Sequence, residues 1–143
     1  MSDRTGHCMC GAVSFTARRI DPDFGACHCG MCQRWAGSAL LAVSVDAEEV
    51  SWEGSEHIGR IQSSDWAERA WCNRCGSGLW YRITAEGSHK GQYHIPVGLF
   101  DDQQGLTLTR EIFVDRRSTA FAFSGDHQEM TEAQVFALYG PTT

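Results

Sequence analysis

Seven cysteines fall in three short groups: Cys8-Met9-Cys10-Gly11, Cys27-His28-Cys29-Gly30-Met31-Cys32 and Cys72-Asn73-Arg74-Cys75-Gly76. Cys72 and Cys75, followed by Gly76, have the form of a zinc knuckle. Two thiolates at this spacing reach one metal, backbone N–H groups point at the sulfurs, and glycine accepts the positive φ that the turn demands. One knuckle supplies half a tetrahedron. Cys8 and Cys10, also followed by glycine, are the natural other half. Together the four give a closed site joining the first strand to the middle of the chain, and closed four-thiolate sites are structural.

Cys27, Cys29 and Cys32 remain, an odd number on one short segment. Three thiolates from a compact loop hold one face of a tetrahedral zinc and leave a fourth position for water or substrate, the catalytic pattern. Zinc with three thiolates carries a formal charge of −1 and is a modest Lewis acid, better suited to accepting another thiolate and presenting it as a nucleophile near neutral pH. The exogenous ligand is then most naturally a thiol. Other readings stand beside this one. His28 or a distant histidine would close the shell and make the site structural. A redox disulfide within the segment lacks the βαβ surroundings of a thioredoxin motif, and the mixed spacings suit zinc better than rubredoxin-type iron.

Around the triad, Trp35 would wall a pocket or be plain core. Arg34 and Arg74 adjoin ligand segments and would meet the carboxylates of a peptide-like thiol, or be ordinary solvated arginines. His94 is the first candidate for a proton shuttle. His57, His89 and His127 have no partner nameable from sequence.

The elements that must carry these residues are mostly strands. Alternation with a period of two places Val13, Phe15 and Ala17 on one face, and likewise Leu41, Val43 and Val45. The same pattern groups Leu79, Tyr81 and Ile83, and groups Tyr93, Ile95 and Val97 with His94 and Pro96 opposite. Pro96 lacks a ladder donor, so its strand should lie at an edge or end early. Ile112 to Val114 reads as one more short strand. Cys29 to Ala36 reads as a helical turn or two. A C-terminal helix is clearer: Thr131 and Gln134 stand at capping-box spacing, Met130 can staple Val135, and Gly140-Pro141 ends it. Val135, Phe136, Leu138 and Tyr139 would form its apolar stripe, covering an open side of the sheets.

At 143 residues, without repeats, low-complexity tracts or linkers, the chain reads as a single domain over 1–143. Twelve Lys and Arg against 18 Asp and Glu give a net charge of −6. With no basic run, nucleic acid is a poor partner. No apolar run is long enough to cross a bilayer, and the N-terminal residues carry no apolar signal region. The expected compartment is the cytoplasm, where thiols stay reduced and seven cysteines serve metal rather than disulfides.

In this order and spacing the three groups resemble the glutathione-dependent formaldehyde-activating family, which includes the centromere protein V type. The resemblance begins at Gly6-His7-Cys8-Met9-Cys10-Gly11-Ala12-Val13-Ser14-Phe15. It continues through Cys27-His28-Cys29-Gly30-Met31-Cys32 with Gly37-Ser38-Ala39, and Trp71-Cys72-Asn73-Arg74-Cys75-Gly76-Ser77. It implies a mainly β, Mss4-like β-tent of antiparallel sheets built around zinc. It implies the same division of ligands reached from spacing: Cys8, Cys10, Cys72 and Cys75 structural; Cys27, Cys29 and Cys32 at the active zinc. It also implies carbon–sulfur chemistry between a small thiol such as glutathione and an aldehyde, forming or cleaving S-hydroxymethylglutathione. Members often carry a histidine before an Ile-aromatic pair, where this chain has Glu111 before Ile112-Phe113. The alternative is a non-enzymatic zinc module for protein interaction, as the centromere-type relatives suggest.

Overall fold

The computed structural model describes residues 2–139. Among them, β1 (Ser2–His7), β2 (Ser14–Ile20) and β5 (Val50–Glu53) form a three-stranded antiparallel sheet with β2 in the middle. The second sheet has eight strands. It contains β3 (Asp23–Cys27), β4 (Leu40–Val45), β6 (Ile58–Gln62), β7 (Ala67–Cys72), β8 (Gly78–Ile83), β9 (Tyr93–Pro96), β10 (Thr107–Ile112) and β11 (Gln128–Met130). Their order is β11-β10-β3-β4-β9-β8-β7-β6. Two helices complete the fold, α1 (Gly30–Ala36) and α2 (Glu132–Tyr139).

The alternation read from the sequence explains which faces meet. Phe15, Ala17 and Ile20 of β2 and Val50 of β5 pack against Val43, Val45 and Ile95 of the large sheet. Burying each of the valine, isoleucine and phenylalanine side chains contributes about 1.5–3 kcal/mol. Strand β1 can approach this core only because residue 6 is glycine: a Cβ there would lie 2.3 Å from the Phe15 ring and 2.4 Å from the Leu99 carbonyl oxygen. On the opposite face of the large sheet, Leu40 and Ala42 pack with Cys32, Trp35 and Tyr81. Strand β4 is therefore covered on both sides, more than simple alternation implies.

Four features depart from the sequence reading. In β8 the pairing shifts register beside Leu79, so Leu79 and Trp80 both enter the core behind Cys8 and Cys72. Tyr81 and Ile83 instead face a cavity; an extra residue in one strand breaks the period of two. Strand β9 is interior, flanked by β4 and β8, yet it does end early, at Pro96, and its pairing with β8 stops at His94. The strand expected at Ile112 to Val114 instead runs Thr107–Ile112, because Phe113 turns left-handed at φ 57° and Val114–Arg116 coil into a 3-10 turn. Lastly, β10 pairs in parallel with both β3 and β11, whereas the other ladders are antiparallel.

Helix α2 begins with the expected capping box: Thr131 N–H donates to Gln134 Oε1 at 2.8 Å, and Gln134 N–H donates to Thr131 Oγ1 at 3.3 Å. Of the expected stripe's described side chains, Val135 is buried, whereas Phe136 and Leu138 remain substantially exposed. Phe136 still meets the rings of Trp66 and Phe113, at 5.3 and 5.8 Å. The Tyr139 side chain and the Gly140-Pro141 stop lie outside the described residues. No described helix is long and apolar enough to cross a membrane.

Candidate metal centre

The first cysteine cluster is made by two turns of the same design. The Cys8 N–H donates to the Val13 carbonyl and the Cys72 N–H to the Ser77 carbonyl, at 3.0 and 2.9 Å. Each turn closes through its glycine: Gly11 N–H returns to Cys8 O, Gly76 N–H to Cys72 O, and both glycines sit at φ 81°. The four sulfurs of Cys8, Cys10, Cys72 and Cys75 all lie within 4.8 Å of one another. Cys10 Sγ is 3.7 Å from Cys8 Sγ and 3.8 Å from Cys72 Sγ. Tetrahedral zinc with bonds of about 2.3 Å sets sulfurs about 3.8 Å apart, so the donor set fits that ion. Val13 N–H donates to Cys8 Sγ at 3.3 Å, and the Ser77 hydroxyl lies 3.2 Å from Cys75 Sγ, contacts that stabilise thiolates.

The second cluster rests on the start of α1. Cys29 is its N-cap, with Sγ accepting from the Cys32 N–H at 3.3 Å. The helix stops at Gly37, which is left-handed at φ 83°. The loop is pinned from behind: His28 N–H donates to Ile112 O at 3.0 Å, and the Gln33 amide reaches His28 O and Arg116 O at 2.7 and 2.8 Å. Cys27, Cys29 and Cys32 bring their sulfurs within 4.8 Å of one another, and no histidine or carboxylate among the described residues joins the group. Hydrogen bonds from the Cys27 and Cys32 thiols, then the Cys32 N–H and the Arg69 charge, hold Cys29 low, at about 2. Such a set of soft donors around one ready thiolate suits zinc.

His28, weighed above as a fourth ligand, is committed elsewhere. Its ring is buried and donates through Nε2 to Glu111 Oε1 at 2.8 Å. His127 Nδ1 donates to the other carboxylate oxygen, also at 2.8 Å, and Arg117 Nη1 lies 3.7 Å from Oε1. Burial alone would raise the Glu111 carboxyl; the hydrogen bonds from His127 and His28 outweigh it and hold the group below its ordinary value.

The triad opens on a cavity of about 850 Å³ whose wall includes Cys27, Cys29 and Cys32. Leu40, Ala42 and Ser44 run along its floor, with Tyr81, Ile83 and His94 beside them. His94 thus lies at the cavity. Its Nδ1 is 3.2 Å from Ser44 Oγ, its ring meets Tyr81 at 5.2 Å, and its buried Nε2 has no partner. Burial, then the Arg110 and His89 charges, lower its pKa to about 4, so the ring is neutral at pH 7. Burial and the neighbouring sulfurs push the Tyr81 phenol well up, leaving it a protonated donor.

Of the arginines considered from sequence, Arg34 borders a shallow depression beside Trp35, and neither Arg34 nor Arg74 lines the cavity. Arg19, Arg69, Arg110 and Arg116 line it instead. Arg69 was the residue most easily missed. It is 5% exposed, and Nη2 lies 3.6 Å from Cys32 Sγ. Its sequence signal is a charge three residues before Cys72, in a strand whose buried positions are otherwise alanine and cysteine. Trp35 packs against this guanidinium, 5.0 Å from ring centroid to Cζ, and lines the shallow depression rather than the cavity.

Fold and site together define a mainly β protein with two cysteine clusters able to hold metal ions. Residues 3–116 match the profile of the family described as glutathione-dependent formaldehyde-activating enzyme, and the chain belongs to that family. A Schizosaccharomyces pombe protein described as an uncharacterised lyase is 28% identical over 135 residues, covering 94% of this chain and 96% of the relative. The crystal structure of a Rhodobacter sphaeroides protein shares the fold, with a TM-score of 0.57 at 23% identity over 68% of this chain and 87% of that one.

Proposed function

We propose that this chain is a carbon–sulfur lyase that forms and cleaves the adduct of a small thiol, glutathione or a close analogue, with an aldehyde such as formaldehyde. Cys27, Cys29 and Cys32 would hold the active zinc; Cys8, Cys10, Cys72 and Cys75 would hold a structural one. The observation that carries this reading is the three-sulfur cluster without a fourth ligand among the described residues, set in the wall of a ligand-sized cavity. Zinc bound there supplies the Lewis acidity that keeps an incoming thiol as thiolate near neutral pH.

The chain's own residues supply the rest. In the forward direction the thiol sulfur bonds to the carbonyl carbon, the C=O π pair moves to oxygen, and the thiol proton ends on that oxygen. Nothing is oxidised. Leu40, Ala42, Ile83 and Ile112 make the cavity apolar around the reacting carbon and exclude water. The protonated Tyr81 phenol is a donor in the same wall. Six strand steps from Leu40 to Asp46 span about 20 Å, room for an extended tripeptide thiol whose carboxylates meet Arg110 and Arg19 at the far end. The description of the fission yeast relative as a lyase supports the reaction class.

The test is the rate at which ¹³C-formaldehyde and glutathione exchange with their adduct, read by NMR. Zinc-loaded protein should accelerate it, and Cys29→Ser should remove the acceleration while circular dichroism stays near native. An uncatalysed rate with the zinc-loaded protein, for glutathione and for cysteine alike, would refute the proposal.

A further inference from the structure

We infer that Arg69 is the binding site for the anionic oxygen of the carbonyl-derived partner, placed beside the thiolates that hold the thiol. This rests on the reading of the triad as the reacting centre and adds to it a specific oxygen-binding group.

The guanidinium is buried and packs against two rings: the Trp35 and Tyr81 centroids each lie 5.0 Å from Cζ. Cation–π contact with two rings holds the guanidinium in place and leaves its N–H edges as the binding groups. One edge nitrogen, Nη2, reaches Cys32 Sγ at 3.6 Å, which accounts for a positive charge being buried beside a cluster of thiolates. It does not account for Nε and Nη1, both buried and without an acceptor among the described residues. An unsatisfied buried donor costs about 1–3 kcal/mol, and more on a charged group. Such a cost is retained where a ligand supplies the missing acceptor. Arg69 lines both the cavity and the shallow depression beside Trp35, and the cavity is the route that brings an acceptor beside all three cysteines.

The chemistry says which acceptor. Adding a thiol to an aldehyde places a new negative charge on the former carbonyl oxygen, one bond from the carbon that the sulfur attacks. A fixed, desolvated guanidinium beside the sulfur-binding cluster matches that charge and needs no reorganisation. An aldehyde that bears its own carboxylate would offer the same chemistry, with a bidentate match to the fork. Both are anionic oxygens attached to, or next to, the reacting carbon.

Wild type is first assayed with glutathione and formaldehyde, which tests the proposed reaction on its own. Arg69→Gln and Arg69→Lys then follow, with formaldehyde and with glyoxylate, at measured zinc content. Loss of an oxygen-binding donor should lower kcat by about 100-fold with the thiol KM unchanged. A loss with both aldehydes assigns the alkoxide; a loss confined to glyoxylate assigns the carboxylate. Arg69→Lys keeps a cation near Cys32 but not the fork, so it carries the kinetic test should the glutamine variant fail to fold. Acetate titration followed by tryptophan fluorescence gives a readout independent of turnover: saturable in wild type, absent in Arg69→Lys. Wild-type kinetics in both variants with both aldehydes would overturn the inference. Where wild type shows no turnover at all, acetate binding that is absent, or unchanged by substitution, would overturn it as well.

Discussion

Glu111 is 4% exposed and bridges two histidines, His28 and His127, each at 2.8 Å. His28 lies between two cysteines of the triad, so this carboxylate fixes the back of the loop that presents Cys27 and Cys29. Glu111→Gln keeps the shape and removes the charge that both imidazoles and Arg117 face. Breaking a buried charge set of this kind costs about 3 kcal/mol, measurable as a lower midpoint in urea. The carboxyl is held below 4.5, so its contribution is present above that value and lost as pH falls below it. The variant should therefore show a flatter stability profile on the acid side. From sequence, Glu111 was visible only as a departure from a histidine. Its role was hidden because its partners lie 83 and 16 residues away along the chain. Arg69 was hidden for a related reason, since burial of a charge is set by neighbours that no local pattern names.

At the scale of elements, the strands were legible where one face is buried and the period is unbroken, as in β2 with Phe15 and Ala17. The capping box of α2 was legible because its hydrogen bonds are local. The bulge beside Leu79 and the parallel placement of β10 against β3 were not, because both are decided by strands distant in sequence. Strand β9 carries the element-scale prediction. Its ring at His94 stays neutral down to about 4, held there by burial, whereas an unfolded histidine titrates near 6.5. Stability is therefore complete above 6.5 and falls as pH drops from 6.5 towards 4, by at most about 3 kcal/mol. Substituting His94→Gln should remove that slope from thermal melts taken across this window. An unchanged slope would mean that another group carries it.

For the molecule as a whole, the cysteine clusters mark its two working regions. Cys8 and Cys10 follow β1, while Cys72 ends β7 and Cys75 stands in the turn to β8, so one ion at this cluster would tie the small sheet to the large one. The second cluster lies on the other face of the large sheet, over the cavity. The pairing of cysteines into four and three was legible because ligand spacing and following glycines are local signals. The cavity was not, because its wall is drawn from eight of the strands and both helices. The most direct test of this division is zinc per chain, measured by elemental analysis before and after dialysis against millimolar glutathione. The account predicts two zincs falling to one with the circular dichroism spectrum unchanged. Two zincs retained, or both released together, would contradict it.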